Sequence, residues 1–133
     1  MNPASDKAAE ELVRRVCRWI AVHPATFDGL MGLCASLTRH GLLVTRGAVF
    51  TLALERGMQV SDAREYRRDH NLWSVLARYM VMIDPSPLAG IRFRSSPVDG
   101  VDLPAMWAEE VGAERFRARS LREARELWKG AVA

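Results

Sequence analysis

The most apolar stretch of the chain runs from Asn71 to Asp84, with the sequence NLWSVLARYMVMID. Ten of its fourteen residues are apolar, and the polar residues before Asp84 are Asn71, Ser74 and Arg78, at i, i+3 and i+7. That spacing places one narrow polar stripe on an otherwise apolar helix. A helix of this kind is buried on most sides, so we predict that residues 71–84 form the central helix of the fold.

The same helical periodicity recurs on both sides of this stretch. Thr45, Asn71, Asp102 and Ser120 each begin an apolar helical pattern as N-caps, while Gly41 and Gly57 follow such patterns as helix stops. Residues 61–62 are expected to start a short helical turn within the polar segment 58–70. The predicted helix bounds are 5–22, 24–40, 46–56, 71–84, 103–111 and 121–129.

Two short segments have β character instead. Leu42 to Val44 is apolar and partly β-branched, and residues 91–94 alternate apolar and basic side chains. Four prolines between positions 85 and 104 exclude a long helix there. We therefore predict a mainly α fold. It is a compact bundle of five to six helices around the buried helix 71–84, with a small β-hairpin or wing near 91–101.

The length and the apolar content fit one domain. A chain of 133 residues with 49% hydrophobic residues can bury a core of its own. We expect a single domain over 1–133. Within it, 24–101 form the core, 1–23 an N-terminal helix and 102–133 a helical extension.

The order helix, short strand, helix, helix and hairpin between positions 24 and 101 resembles a winged helix-turn-helix. In such a fold residues 71–84 would be the recognition helix. A recognition helix must present polar and basic side chains to base edges, and this one offers only Asn71, Ser74 and Arg78. If nucleic acid is bound, we expect the phosphates to be contacted by arginines flanking the helix. These are Arg64, Arg67, Arg68, Arg92 and Arg94. The alternative is that they form a solvated charged surface paired with acidic neighbours.

Residues 24–94 also resemble a group of small uncharacterised bacterial and phage-associated helical proteins. The resemblance is carried by a Leu-Ala-Arg-Tyr run at 76–79, by Pro85 and by Arg94. The chain departs from that pattern after Glu55, where Gly57 and Met58 stand in place of a basic and aromatic stretch. The resemblance implies a helical fold and no activity.

Net charge is mild, at +3, although seventeen of the nineteen basic residues are arginine. Arginine favours bidentate contacts to phosphate or carboxylate, but a GC-rich genome produces the same bias. The N-terminus has no signal pattern, and no apolar run reaches the roughly 18 residues of a membrane span. We expect a cytoplasmic protein with free cysteines and no membrane partner.

No motif for metal binding or catalysis stands out. Cys17, His23, Cys34 and His40 do not match a zinc spacing, and the two histidines would lie roughly 25 Å apart at the ends of one helix. We expect no cofactor, no small-molecule ligand and no enzymatic activity. Arg78 is the one residue of the central helix with a candidate role, as an anion or partner contact. The alternative is that the polar stripe reaches solvent, or that Arg78 pairs with a carboxylate of the preceding loop, such as Asp62 or Asp69.

These observations favour a non-enzymatic helical interaction module that acts through a protein partner or a homodimer. Its apolar content exceeds what one small domain needs, and an edge strand at 91–94 would allow pairing across a dimer. The second hypothesis is a DNA-binding protein of a bacterial regulator or mobile element that uses the flanking arginines.

Overall fold

The structure is a computed structural model that describes residues 3–84, 90, 91 and 93–112. These residues form six α-helices and two short 3₁₀ turns, and they contain no strand. The mainly α prediction is therefore confirmed. The helices are α1 (Pro3–Val22), α2 (Pro24–Arg39), α3 (Arg46–Glu55), α4 (Arg64–Arg68), α5 (His70–Ile83) and α6 (Leu103–Glu110), and the 3₁₀ turns are Ser61–Ala63 and Pro97–Gly100.

Helix α5 is the buried helix that the sequence pattern predicts. All of its residues from Leu72 to Ile83 are buried except Ser74, which is partly exposed. The helix begins one residue earlier than expected because Asp69, and not Asn71, is its N-cap. The Asp69 carboxylate accepts the backbone N–H groups of Asn71 at 2.8 Å and Leu72 at 3.3 Å.

Helix α1 covers one side of this core. It packs against α5, α6 and the Pro97–Gly100 turn, and Val13, Val16 and Ile20 are fully buried on its inner side. At its edge, Arg14 Nη1 lies 2.7 Å from the Glu110 carboxylate, and Arg18 Nε lies 3.2 Å from the same carboxylate. These ion pairs join α1 to α6.

Helix ends follow their local sequence signals. Thr45 Oγ1 accepts the N–H of Ala48 at 3.1 Å at the start of α3. Gly41 and Gly57 end α2 and α3 with φ values of 68° and 66°, which glycine adopts without steric cost. Asp102 caps α6 through the N–H of Ala105 at 3.2 Å. The predicted caps and stops at these four positions are confirmed.

The predicted wing is wrong for the residues that the structure describes. Residues 42–44 do not form a strand, and Val44 N–H donates to the backbone carbonyl of Gly90 at 3.0 Å. A Cβ at Gly90 would lie 3.0 Å from the Leu42 carbonyl, so the two segments approach as closely as a glycine permits.

The segment expected to form the hairpin turn and return strand is a capped 3₁₀ turn instead. Ser96 Oγ accepts the N–H of Val98, and Asp99 Oδ2 accepts the N–H of Ser96 at 2.9 Å. This reciprocal capping holds the backbone in a helical turn, so Val101 does not pair as a strand. Ile91 and Phe93 are partly buried against the core, while Arg92 and the predicted helix 121–129 lie outside the described residues.

No single helix of the described residues combines the length and the apolar content that crossing a bilayer requires. Helices α1 and α2 meet both criteria only when they are taken together, across a bend of 102°.

Candidate anion-binding cleft

Arg78 is fully buried in the middle of α5. Its Nε lies 3.1 Å from Asp99 Oδ1, and its Nη2 donates to the Arg94 carbonyl at 3.0 Å. Its Nη1 donates to the Ser74 carbonyl at 3.1 Å and also to Ser74 Oγ. The guanidinium carbon lies 5.0 Å from the centre of the Phe93 ring, within cation–π range. The buried charge therefore joins α5 to the segment that runs from Phe93 to Asp99.

The sequence predicted a charge partner for Arg78 in the wrong segment. Asp62 instead accepts the Thr26 hydroxyl at 2.8 Å, and Asp69 caps α5. Asp99 lies 21 positions along the chain from Arg78. Sequence spacing predicts side-chain contacts only between residues three or four positions apart on one helix, so it cannot predict this pair. Arg78 is therefore a structural connection below the surface.

Above this connection lies a cleft of about 710 Å³ between the first turns of α3 and α5 and the segment 91–97. We call it the α3–α5 cleft. Its described lining combines apolar, hydroxyl and cationic side chains. The lining residues are Val44, Thr45, Arg46, Gly47, His70, Asn71, Trp73, Ser74, Ala77, Ile91, Phe93, Arg94, Ser95, Ser96 and Pro97.

The charges in this lining have one sign. Arg46 and Arg94 contribute two cations from different segments of the lining, and no aspartate or glutamate occurs among the described lining residues. Asp69 and Asp99, the nearest acidic residues along the chain, are engaged as the cap of α5 and as the partner of Arg78. A cleft with unbalanced positive charge and apolar walls suits a ligand that carries both an anionic and an apolar group.

Arg46 is incompletely satisfied in this setting. Its Nη1 atom is buried and has no hydrogen-bond partner. A buried donor of this kind costs free energy, and it calls for an explanation such as a group that binds nearby. Gly47, the next residue, also lines the cleft, and a Cβ placed there would meet no atom within 4 Å. The backbone at the start of α3 is thus open to a ligand.

The six predicted contact residues are divided by the structure. Arg94 lines the α3–α5 cleft, and Arg78 lies beneath it. Arg64 and Arg67 line a separate, smaller cleft of about 360 Å³ beside the end of α3, and the two clefts share no described lining residue. Arg68 is exposed but lines neither of these clefts. Arg92 is outside the described residues.

Sequence reasoning missed Arg46, although the chain contains a signal for it. A cation in the first turn of a helix is opposed by the positive end of the helix dipole, and it costs roughly 0.3–1 kcal/mol. Arg46 is the first residue of α3, directly after the Thr45 cap. Arginine is unfavourable at the start of a helix, and glycine, which follows it here, is unfavourable within one. Residues that lower helix stability in this way indicate a place where function can outweigh stability.

The other reactive side chains belong to the core. Burial raises the pKa of the Cys17 and Cys34 thiols to about 12 each, so both are held as neutral thiols. Cys17 Sγ donates to Tyr79 Oη at 3.2 Å, and Tyr79 in turn donates to the Leu103 carbonyl at 2.8 Å. Trp107 is fully buried against this tyrosine. Among the described residues, no three His, Cys, Asp or Glu side chains form a group able to hold a metal ion.

No protein-family model, curated protein or solved structure matches this chain. The two resemblances seen in the sequence therefore stay predictions. The α3–α5 cleft and the surface next to it carry the chemistry from which a function can be inferred.

Proposed function

We propose that the protein is a non-enzymatic interaction module that binds a protein partner through the α3–α5 cleft. The observation that carries this proposal is the charge of the described lining, which holds two arginines and no carboxylate. Such a surface attracts an acidic segment of a partner and repels a basic one.

Exposed apolar side chains beside the cleft favour a protein over other anionic partners. Leu42 and Leu43 are 55% and 63% exposed in the loop that leads to Val44 in the cleft wall. Water-exposed leucines next to a cleft are typical of a contact surface that a partner covers. The partner segment we expect carries acidic and apolar residues side by side.

A peptide library displayed against the full chain tests this proposal. Enriched peptides should contain Asp or Glu next to apolar residues, and their affinity should fall by roughly tenfold in Arg94→Gln and in Leu43→Ser, because each variant removes one contact of the expected kind. Arg39→Gln and Val22→Ser are matched controls, since Arg39 is exposed and Val22 is 72% exposed and neither lines the cleft.

The result against the proposal would be no enrichment, or enriched peptides whose binding is unchanged in Arg94→Gln and Leu43→Ser. Size-exclusion chromatography with light scattering distinguishes a partner that is a different protein from one that is a second copy of this chain. A mass near 14.9 kDa indicates a different protein, and twice that mass indicates a second copy of this chain.

A nucleic-acid function is the second candidate, and helix α4 is the feature that favours it. Arg64, Arg67 and Arg68 are all exposed within five residues, and two of them line the smaller cleft. Glu65, on the same helix, pairs with Arg15 at 2.6 Å and so is partly neutralised. The test is binding to duplex DNA at low salt. Loss of this binding when the three arginines are replaced by glutamine, together with unchanged binding in Arg94→Gln, would favour a nucleic-acid function over a protein-binding function.

A further inference from the structure

The buried guanidinium of Arg78 contacts two different segments of the α3–α5 cleft lining. On α5 it donates to the carbonyl of Ser74 at 3.1 Å, and on the segment 93–97 it donates to the carbonyl of Arg94 at 3.0 Å. Its carbon atom also lies 5.0 Å from the centre of the Phe93 ring. Ser74, Phe93 and Arg94 line the cleft, whereas Arg78 is fully buried and does not line it. One buried side chain therefore connects two segments that form the cleft.

The segment that contains Arg94 has no regular secondary structure. Residues 93–96 belong to neither a helix nor a strand. Backbone groups outside regular structure need partners from side chains or water, and Arg78 is such a partner for the Arg94 carbonyl. Arg78 also reaches the end of this segment through Asp99, whose Oδ1 atom it contacts and whose Oδ2 atom accepts the N–H of Ser96. The backbone of Arg94 is therefore held by a side chain of α5.

This hold matters for binding because the Arg94 side chain itself is exposed. A cation on a fixed backbone gives up less conformational freedom when a partner binds than a cation on a mobile segment. Three nitrogen atoms of the Arg78 guanidinium contact three different residues, since Nε contacts Asp99, Nη1 contacts Ser74 and Nη2 contacts Arg94. Only arginine offers donors in this fixed planar arrangement.

From this arrangement we propose that Arg78 is a positioning residue of the α3–α5 cleft. Its hydrogen bonds to the Arg94 carbonyl and to Ser74 hold two lining segments in the arrangement that binds an acidic partner segment. In this role Arg78 acts through Arg94, which supplies the exposed cation. The inference deepens the proposed function and rests on it for the statement that an acidic segment binds in the cleft.

Two variants separate this positioning role from a purely structural one. Asp99→Asn removes the charge partner of Arg78 and leaves the hydrogen bond to the Arg94 carbonyl. Arg78→Met/Asp99→Asn removes both charges and that hydrogen bond together. The double variant should be the more stable of the two in urea, because Asp99→Asn alone leaves a buried guanidinium without its carboxylate. Positioning predicts the opposite order for the properties of the cleft.

Amide hydrogen exchange of the full chain measures how firmly the segment is held, without any ligand. The Ser96 amide should exchange roughly tenfold faster in the double variant than in Asp99→Asn, because the segment has lost a charge-assisted hydrogen bond. A purely structural role predicts slower exchange in the double variant, since exchange then follows overall stability. The Phe27 amide of α2, which donates to the His23 carbonyl at 3.1 Å, is the control and should follow overall stability.

The affinity for an acidic peptide selected against the unmodified chain is the second measurement. The double variant should bind this peptide roughly tenfold more weakly than the unmodified chain, and Asp99→Asn at most about threefold more weakly. Ile20→Ala is the control for lost stability, because Ile20 is fully buried in α1 and does not line the cleft. It should lower the free energy of unfolding and leave the peptide affinity unchanged.

Two results refute the positioning role. One is a Ser96 amide that exchanges no faster in the double variant than in Asp99→Asn, and the other is a double variant that binds the peptide as tightly as Asp99→Asn does. If peptides bind the unmodified chain after such a result, the positioning role fails and the proposed function stands. If the exchange rates follow the expected order and no acidic peptide binds the unmodified chain, Arg78 positions the segment and the proposed function fails.

Discussion

Replacing Asp99 with asparagine tests whether the buried charge of Arg78 depends on the carboxylate opposite it. Asparagine has nearly the same size, and its side-chain oxygen can still accept the N–H of Ser96, as Asp99 Oδ2 does at 2.9 Å. The substitution removes the negative charge whose Oδ1 atom lies 3.1 Å from Arg78 Nε. It therefore changes the electrostatics and leaves the capped turn nearly intact.

The expected loss of stability follows from the distance and the burial of the pair. Coulomb's law with an effective dielectric constant of about 20 gives roughly 5 kcal/mol at 3.1 Å. The Arg78 side chain is fully buried, but that of Asp99 is 25% exposed, so water screens part of the interaction. Removing one partner of a buried ion pair costs about 3–5 kcal/mol, and we expect a value near the lower end, about 3 kcal/mol.

Urea unfolding followed by tryptophan fluorescence measures this change in the free energy of unfolding. Glu55→Gln, at an exposed carboxylate of α3, is the control and should change stability by less than about 0.5 kcal/mol. The double variant Arg78→Met/Asp99→Asn should recover at least half of the loss, because it leaves no charge in the core. A loss below about 1 kcal/mol for Asp99→Asn, or a double variant less stable than Asp99→Asn, would refute the reasoning.

Three further predictions concern helix propensity, acid sensitivity and thiol protection. Gly32→Ala and Gly47→Ala should each raise the free energy of unfolding by roughly 0.5–1 kcal/mol, because alanine favours a helix and both sites have room for its methyl group. Hydrogen bonding to its arginine partners lowers the pKa of Glu110 from 4.5. Its stabilising effect is therefore present above about pH 4.5 and is lost as the pH falls through the lowered value. Denaturant titrations should thus show Glu110→Gln less stable than the wild type at pH 7, with a difference that shrinks in acid. At pH 8 a thiol with a pKa of about 12 is ionised to about one part in 10⁴, so Cys17 and Cys34 should react with a disulfide reagent only when the protein opens.

Each of these three predictions has a control variant or a result that would contradict it. Glu109 lies farther from Arg14, at 3.5 Å, and its side chain is 65% exposed, so Glu109→Gln should lower the free energy of unfolding at pH 7 much less than Glu110→Gln does. An equal loss in both variants would contradict the assignment to Glu110. Rapid labelling of either cysteine in the native protein would contradict the buried neutral thiols. A loss of stability in Gly32→Ala would show that the space at that position is filled.

Features encoded within one helical turn could be predicted from the sequence. Thr45 and Asp102 cap their helices and Gly41 ends α2 because a cap or a stop depends only on residues up to four positions away. The burial of α5 was likewise predictable, because its apolar pattern leaves one polar stripe. Only its cap was misplaced, by two positions, because Asp69 outcompetes Asn71.

The failures have physical causes. The segment 95–100 was expected to turn between strands, but Ser96 and Asp99 have the spacing of a capping box, and that local pairing holds a 3₁₀ turn. This signal was present in the sequence. The pairing of Arg78 with Asp99 was not predictable, because it joins positions 21 apart through a loop that has no periodic pattern. The contribution of Arg46 depends on three segments that meet only in the folded chain.

The buried charge and the cleft are parts of one arrangement. Arg78 donates to the carbonyl of Arg94 and to Ser74, and both of these residues line the α3–α5 cleft. A long aliphatic side chain in this position would fill the same volume but would hold neither group by hydrogen bonds. Burying the guanidinium of Arg78 costs free energy, but its hydrogen bond to the Arg94 carbonyl fixes the position of the segment that contains Arg94. The central helix, in which the sequence singled out only Arg78 for a candidate role, also lines the candidate binding site through Trp73, Ser74 and Ala77.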